Sequence, residues 1–335
     1  MDIELLKKLG TISQIAGIRE SVLQRGRSAG MGILEFYNAA GLRFSVTPDR
    51  CMDIFDLSYK GVNLGFQTKN GLVSNFAASP LPQEFADQWP GGMLATCGLD
   101  NVGVGSSDSV IYPTHGRISS LPAEQVGVQC DWAGNDYILK AFGETHQSRL
   151  YGRHLGLKRT IRTALNSRSL HIHDCLTNYE PTDEPFMLLY HFNFGHPLLS
   201  GKSLVFTSEA DVAPRNSLSD DYHHMSEPVD GRGEELYFYT AKTETAWGAI
   251  VNPGLNLGAY IRFDTRNLPF FLEWKNMRSH DYTLAIEPSN CKGFGRIKEI
   301  GDGIAMIGAY SKLDYSLELG VLDGQEEINN FLGMA

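Results

Sequence analysis

No stretch of this 335-residue chain approaches the roughly 18 uninterrupted apolar residues that a membrane-crossing helix needs, so no membrane partner is expected. Residues Met1–Gly10 (MDIELLKKLG) carry scattered charges, with no apolar core segment and no small-residue cleavage site, which reads against a secretory leader. Cysteine is scarce: the five are Cys51, Cys97, Cys130, Cys175 and Cys291, odd in number, far apart and without a CxxC pair. Reduced thiols in a cytoplasmic protein are therefore expected, rather than a disulfide framework or a zinc knuckle. Basic residues are in deficit, 29 Lys and Arg against 39 Asp and Glu, a formal net charge of −10. That excludes the basic stripe a nucleic-acid footprint requires. There is no Pro/Ser linker long enough to separate domains, and no repeat at the spacing of propeller blades.

Glycine is abundant, at 35 residues, and with Pro, Asn and Asp it breaks the chain every few positions. Between the breaks lie short runs of alternating apolar character. Met31–Tyr37 is followed by Leu42, Phe44 and Val46; Leu155, Leu157 and Ile161 face a return run with Leu170, Ile172 and, beyond a phase slip, Leu176. The intervening Asn166–Ser167 makes that pair a hairpin. Phe186–Phe194 is almost wholly apolar and aromatic, as expected of a central strand covered on both faces. Glu235–Ala241, Thr245–Val251, Leu257–Phe263, Pro269–Trp274, Tyr282–Ile286 and Gly303–Leu319 read as further strands. Helical periodicity is confined to Leu81–Trp89 and Gln325–Leu332. The expectation is an all-β chain: one large antiparallel two-sheet sandwich over residues 1–335, with residues 1–40 as a small N-terminal β layer and residues 325–332 as a C-terminal helix.

Titratable groups interrupt the strands in three places. In Thr114-His115-Gly116-Arg117, strand geometry would point His115 and Arg117 the same way, and the neighbouring cation would keep the imidazole neutral. In Tyr190–Pro197, His191, Asn193 and Gly195 share one face opposite Tyr190, Phe192 and Phe194; a buried imidazole and carboxamide need partners there, as on a pocket floor. In Leu284–Asn290, Glu287 ends an apolar run just before Pro288, which should stop the ladder. Desolvation would raise its pKa toward that of a general base.

The order His-Gly, then aromatic-His-aromatic-Asn-aromatic, then apolar-Glu-Pro resembles the aldose 1-epimerase (galactose mutarotase-like) superfamily. It is carried by His115-Gly116, Tyr190–Phe194 and Ile286-Glu287-Pro288, and spans about Gly30 to Ser316. Tyr190 stands where galactose mutarotases commonly have Asn. Pro48–Ile54, Cys97–Val102 and Leu272–Lys275 are similar to a less-studied, aldose-epimerase-like branch. The resemblance implies the superfamily's large β-sandwich and cofactor-free mutarotation of a small carbohydrate, in which a base takes the anomeric proton while an acid protonates the ring oxygen. On it, Glu287 is the base, His191 the acid, and His115 the group that polarises the ring oxygen beside Arg117. Arg50, Asp53, Asp100, Asn101, Asn193, His196 and Lys275 become candidate ligands of sugar hydroxyls, with Trp274 as a stacking platform. A monomer or homodimer is expected, with no metal.

Two alternatives stay open at this point. One is isomerase or lyase chemistry on an oxidised or keto sugar, metal-assisted through His115, His191 and a carboxylate. The other is a non-catalytic carbohydrate-binding protein, which would have no need of two histidines and a glutamate. His171, His173 and Cys175 share one strand face with metal-ligand spacing, but an outer hairpin face explains them as well. His223-His224 sits in a loop-like stretch, Ser217–Gly233, and Gly98–Gly105 lacks the Lys and following helix of a phosphate loop.

Overall fold

The computed structural model describes residues 3–74, 85–108, 110–215 and 221–333. Chain order opens with a short helix, α1 (Ile3–Leu6), and a five-stranded antiparallel sheet. Its strands are β1 (Gly17–Val22), β2 (Gly32–Tyr37), β3 (Leu42–Thr47), β4 (Asp53–Tyr59) and β5 (Val62–Asn63), neighbours in that order. This N-terminal layer therefore runs to Asn63 rather than stopping near Ala40. After α2 (Phe85–Gln88) come β6 (Leu94–Leu99), the short ribbon β7 (Ser106–Ser107) and β8 (Ile111–Tyr112), and a long hairpin of β9 (Glu124–Ala133) and β10 (Asp136–Ser148).

The rest of the chain builds two large antiparallel sheets. It supplies β11 (His154–Ala164), β12 (Ser169–Asn178), β13 (Glu184–Pro185), β14 (Met187–Phe194), β15 (Leu204–Thr207), β16 (Ala210–Pro214) and β17 (Glu235–Ala241). Then follow β18 (Thr245–Asn252), β19 (Leu257–Asp264), β20 (Phe270–Asn276) and β21 (Thr283–Ser289). Helix α3 (Arg296–Asp302), β22 (Met306–Ile307), β23 (Lys312–Asp323) and α4 (Gln325–Leu332) complete the chain. The eight-stranded sheet has the order β15-β18-β19-β23-β12-β11-β10-β9, and the six-stranded sheet β16-β17-β20-β21-β14-β6. Strand β13 pairs with β22 in a small ribbon. The fold is thus mostly β, a sandwich of antiparallel sheets with four short helices among the described residues.

Alternation decides which side chains reach the interior. Tyr190, Phe192 and Phe194 of β14 meet Leu170 and Ile172 of β12 and Leu317 of β23 between the two large sheets, and Phe36, Phe44 and Leu57 of the N-terminal sheet join the same core. The odd-numbered residues of β14 face the other way, where Met187 and Leu189 pack with Cys97, Val102, Leu272 and Cys291. That second face of the six-stranded sheet is the one that carries the polar residues described below.

The suspected phase slip in β12 does not exist. Leu170, Ile172, Asp174 and Leu176 all point inward, and Asp174 is wholly buried. It is held by Arg159 of β11, whose Nε lies 2.9 Å from Oδ1 and Nη2 2.7 Å from Oδ2, and by the Tyr190 hydroxyl at 2.9 Å. Arg159 also reaches Asp53 at 2.9 Å, and Asp53 takes the Thr96 hydroxyl and amide. One buried guanidinium thereby ties both large sheets to the N-terminal layer. His171, His173 and Cys175 lie on the outer face of the same strand, half-buried or exposed.

Helix α4 forms over the residues expected, with its N-cap at Gly324. Of the helix expected at Leu81–Trp89, residues 81–84 lie outside the described residues and α2 covers Phe85–Gln88. The run Gly303–Leu319 is two strands, split by the turn around Gly308–Ser311.

Candidate active site

The ladder between β14 and β21 places the two central groups opposite each other. Leu189 pairs with Ser289 and Phe192 with Ile286, so His191 falls across from Glu287, with Leu272 on the far side of Glu287 and Ala95 beyond His191. Pro288 does not end the strand as expected; β21 continues to Ser289, and Pro288 faces Phe271 of β20. Its missing N–H falls where no pair joins β14 and β21, at Tyr190 and His191. His191 Nε2 lies 3.2 Å from Glu287 Oε1, and both side chains are almost wholly buried. The contact is out of line for a hydrogen bond: Glu287 Oε1 and His191 Nδ1 are both buried without a hydrogen-bond partner.

His115 does not lie on a strand with Arg117. It occupies a turn with φ of 58°, followed by Gly116 at 75°. The turn is clamped to β6: Gly98 N–H donates to the His115 carbonyl, and Arg117 N–H donates to the Gly98 carbonyl, both at 2.9 Å. A Cβ on Gly116 would collide with the Gly98 and Asn101 carbonyl oxygens, so glycine is required here for both its positive φ and this close approach. The clamp turns the His115 ring toward His191, with centroids 5.7 Å apart, and sends Arg117 away to Asp100.

Aromatic rings wall the cleft. Trp89 and Trp274 stand 5.3 and 5.5 Å from His191, centroid to centroid, and 6.0 Å from each other. Phe85 contacts both Trp89 and His115. The Trp274 indole N–H donates to Glu234 Oε2 at 2.7 Å, and Arg215 at the rim donates to the Gly293 carbonyl at 3.4 Å while its guanidinium lies over Phe294. The cleft holds about 390 Å³ and also touches Val102, Gly103, Val104, Thr114 and Leu236, a size common for small-molecule sites.

Burial sets the charge of the floor. It pushes the Glu287 carboxyl up to about 8, helped by the negative Glu234 and opposed by Arg215. Burial, and then the neighbouring His115, hold His191 well below the ordinary imidazole range. Burial, and then Arg215, bring His115 down to about 4. All three groups are driven toward their neutral forms. At neutral pH the Glu287–His191 pair therefore holds one titratable proton, on the Glu287 carboxyl, 3.2 Å from a neutral imidazole.

Of the residues singled out in the sequence, the cleft brings together Glu287, His191, His115 and Trp274. The others lie elsewhere, for identifiable reasons. Arg50 is buried in the turn between β3 and β4, donating to the Val73 carbonyl at 3.0 Å, and Asp53 is consumed by Arg159 and Thr96. Asn193 is wholly buried on Gly92 and its own strand, and Lys275 is buried on the inter-sheet face with Nζ on the Asp221 carbonyl. His196 is exposed beyond the end of β14. Asn101 braces the cleft's loops from behind, donating to the Val104 and Pro113 carbonyls and accepting from Arg296 N–H. Asp100 and Arg117 pair on the opposite side of the His115 turn.

Sequence reasoning missed Phe85, the first residue of α2, and Trp89, Arg215 and Glu234, which reach the cleft from segments outside the helices and strands. Only the aromatic spacing of Phe85 and Trp89 offered a signal. Among the described residues no group of three or more His, Cys, Asp or Glu is arranged to hold a metal ion.

Residues 28–321 match the family described as domain of unknown function DUF4432. The chain belongs to that family. No curated protein sequence matches it. Among solved structures, a candidate aldose 1-epimerase from Klebsiella pneumoniae subsp. pneumoniae MGH 78578 superposes with a TM-score of 0.88 at 22% identity, covering 94% of this chain and 86% of that one. A galactose mutarotase-like protein from Clostridium acetobutylicum gives 0.62 at 13% identity, covering 92% and 99%. Galactose 1-epimerase from Lactobacillus acidophilus NCFM gives 0.59 at 11% identity, covering 92% and 100%. This DUF4432 chain thus has the fold of the aldose 1-epimerase and galactose mutarotase-like proteins.

Proposed function

We propose that the chain is an aldose 1-epimerase-like isomerase that interconverts the anomers of a small sugar by ring opening. The observation that carries the reading is the Glu287–His191 pair, buried 3.2 Å apart on the floor of an indole-walled cleft. Mutarotation needs one group to take the anomeric hydroxyl proton and another to protonate the ring oxygen, then the reverse after the carbonyl turns. A pair holding a single proton does both without net uptake or release. The step starts from the minor arrangement of that proton, a Glu287 carboxylate beside a His191 imidazolium. Glu287 takes the anomeric proton, His191 protonates the ring oxygen, and ring opening leaves the neutral carboxyl and neutral imidazole that burial favours. Ring closure returns both protons and restores the pair.

His115 is within reach of the same ligand, with its Nδ1 buried and unpartnered, and a neutral imidazole there donates to the ring oxygen or accepts from a hydroxyl. Trp274 and Trp89 offer flat faces to the apolar side of a pyranose, and Glu234 and Arg215 line its rim. The test is saturation-transfer NMR across a panel of aldoses, reading exchange between α and β anomers with and without protein. The reading requires catalysed exchange of at least one aldose; a panel in which every sugar exchanges at the uncatalysed rate overturns it.

A further inference from the structure

Behind the His115 turn lies a second cavity of about 440 Å³ that shares no lining residue with the cleft. Three arginines converge there: Arg117, and, from the β10–β11 turn, Arg149 and Arg153. Asp100 neutralises only Arg117, and Arg149 and Arg153 have no ion pair among the described residues. Arg153 Nη1 is buried without an acceptor, and so is Nε of the adjacent Arg296, a buried side chain held by the Asp100 and Pro185 carbonyls. The positive field is felt within the protein: burial, and then the charge of Arg153, bring Arg296 below its ordinary range. In a chain of net charge −10, such a concentration of uncompensated and partly desolvated guanidinium groups is unexpected on charge statistics alone.

We propose that this cavity is a second ligand site, for a phosphoryl dianion, either inorganic phosphate or a phosphate monoester of a small polyol or sugar. Guanidinium forks match phosphate oxygens two at a time, and a dianion answers both uncompensated charges where a carboxylate would answer one. Room remains beyond a phosphate for an ester group. Asp100 Oδ1, buried without a partner beside Arg117, marks where a ligand hydroxyl would be met. The site is distinct from the cleft but joined to it through the chain, because Arg117 follows His115 by two residues and its backbone is clamped to Gly98.

Calorimetry at low ionic strength tests this with two probes, inorganic phosphate and glucose 6-phosphate, on wild type, on Arg149→Gln/Arg153→Gln and on Trp274→Ala, which removes a wall of the cleft and touches nothing in the second cavity. The proposal expects saturable binding by wild type that weakens as NaCl is raised. It expects at least tenfold weaker binding by the double arginine variant and unchanged binding by Trp274→Ala. A preference for the ester identifies a phosphorylated metabolite as the occupant; equal affinities identify free phosphate. Because Arg149 is exposed, Arg149→Gln alone serves should the double variant fail to fold. No binding of either probe by wild type, undiminished binding by the arginine variants, or loss of binding in Trp274→Ala overturns the proposal, the last by locating the ligand in the cleft.

Discussion

At the residue scale, the site depends on burial acting oppositely on an acid and a base. Glu287 and His191 were legible in the sequence because each breaks an apolar run, where a polar group has few innocent explanations. Asn193 was misread by the same logic, and Arg50 and Asp53 were misplaced through the family resemblance. They too are polar groups among apolar ones, but their partners (a carbonyl, a guanidinium, a neighbouring strand) come from distant parts of the chain that no local pattern displays. Asp174 was passed over as a slip in alternation because its counter-charge lies on the next strand.

A stability prediction follows from the Glu287 shift. The native carboxyl holds its proton up to about pH 8, whereas an unfolded glutamate releases it near 4.5. Native stability therefore falls as pH rises through that interval, by at most about 1.4 kcal/mol per pH unit for one proton. Glu287→Gln lacks the titration. Thermal melts of both proteins should show the variant gaining on wild type from pH 5 to pH 9, and a constant difference would mean that Glu287 is not buried as described. The two members of the pair should also be non-additive: Glu287→Gln/His191→Asn should lose far less activity than the product of the single losses, because they act as a unit.

At the element scale, strands with one clearly apolar face were readable, while edge and loop elements were not. Strand β9 is an edge strand with no fully buried residue: Val128, Cys130 and Trp132 alternate with Gln129 and Asp131 but are only half-buried, and the strand went unread together with its partner β10. The His115 turn was read as a strand because its controlling contact, the clamp onto Gly98, lies 17 residues away. The turn makes a specific prediction. Gly116→Ala forces a Cβ against the Gly98 and Asn101 carbonyls at a φ of 75°, for a backbone cost on the order of 1–2 kcal/mol plus the clash. The fold should survive by circular dichroism while anomer exchange falls at least tenfold as His115 is displaced. Full activity in Gly116→Ala would show that His115 needs no such placement.

At the scale of the whole molecule, one core runs through three sheets, and the Arg159–Asp174–Asp53 cluster is the polar seam that fixes their register. Fold class was legible because alternating runs, frequent turns and the lack of helical periodicity all agreed. The seam was not, since it joins residues more than 100 positions apart. Removing one charge strands the others in a low-dielectric interior. Asp174→Asn should cost about 3–5 kcal/mol in urea unfolding, a range typical of broken buried pairs. A loss below 1 kcal/mol would mean that the cluster is solvated in solution.

The account turns on proton transfer by Glu287, and the rate of anomer exchange in Glu287→Gln tests it most directly. The substitution keeps shape and hydrogen-bonding capacity while removing the titrating group. Measured by saturation transfer on a sugar that wild type turns over, exchange should fall by about 10²–10⁴-fold, with sugar binding retained. A folded Glu287→Gln protein that binds the sugar and exchanges its anomers at the wild-type rate would contradict the account.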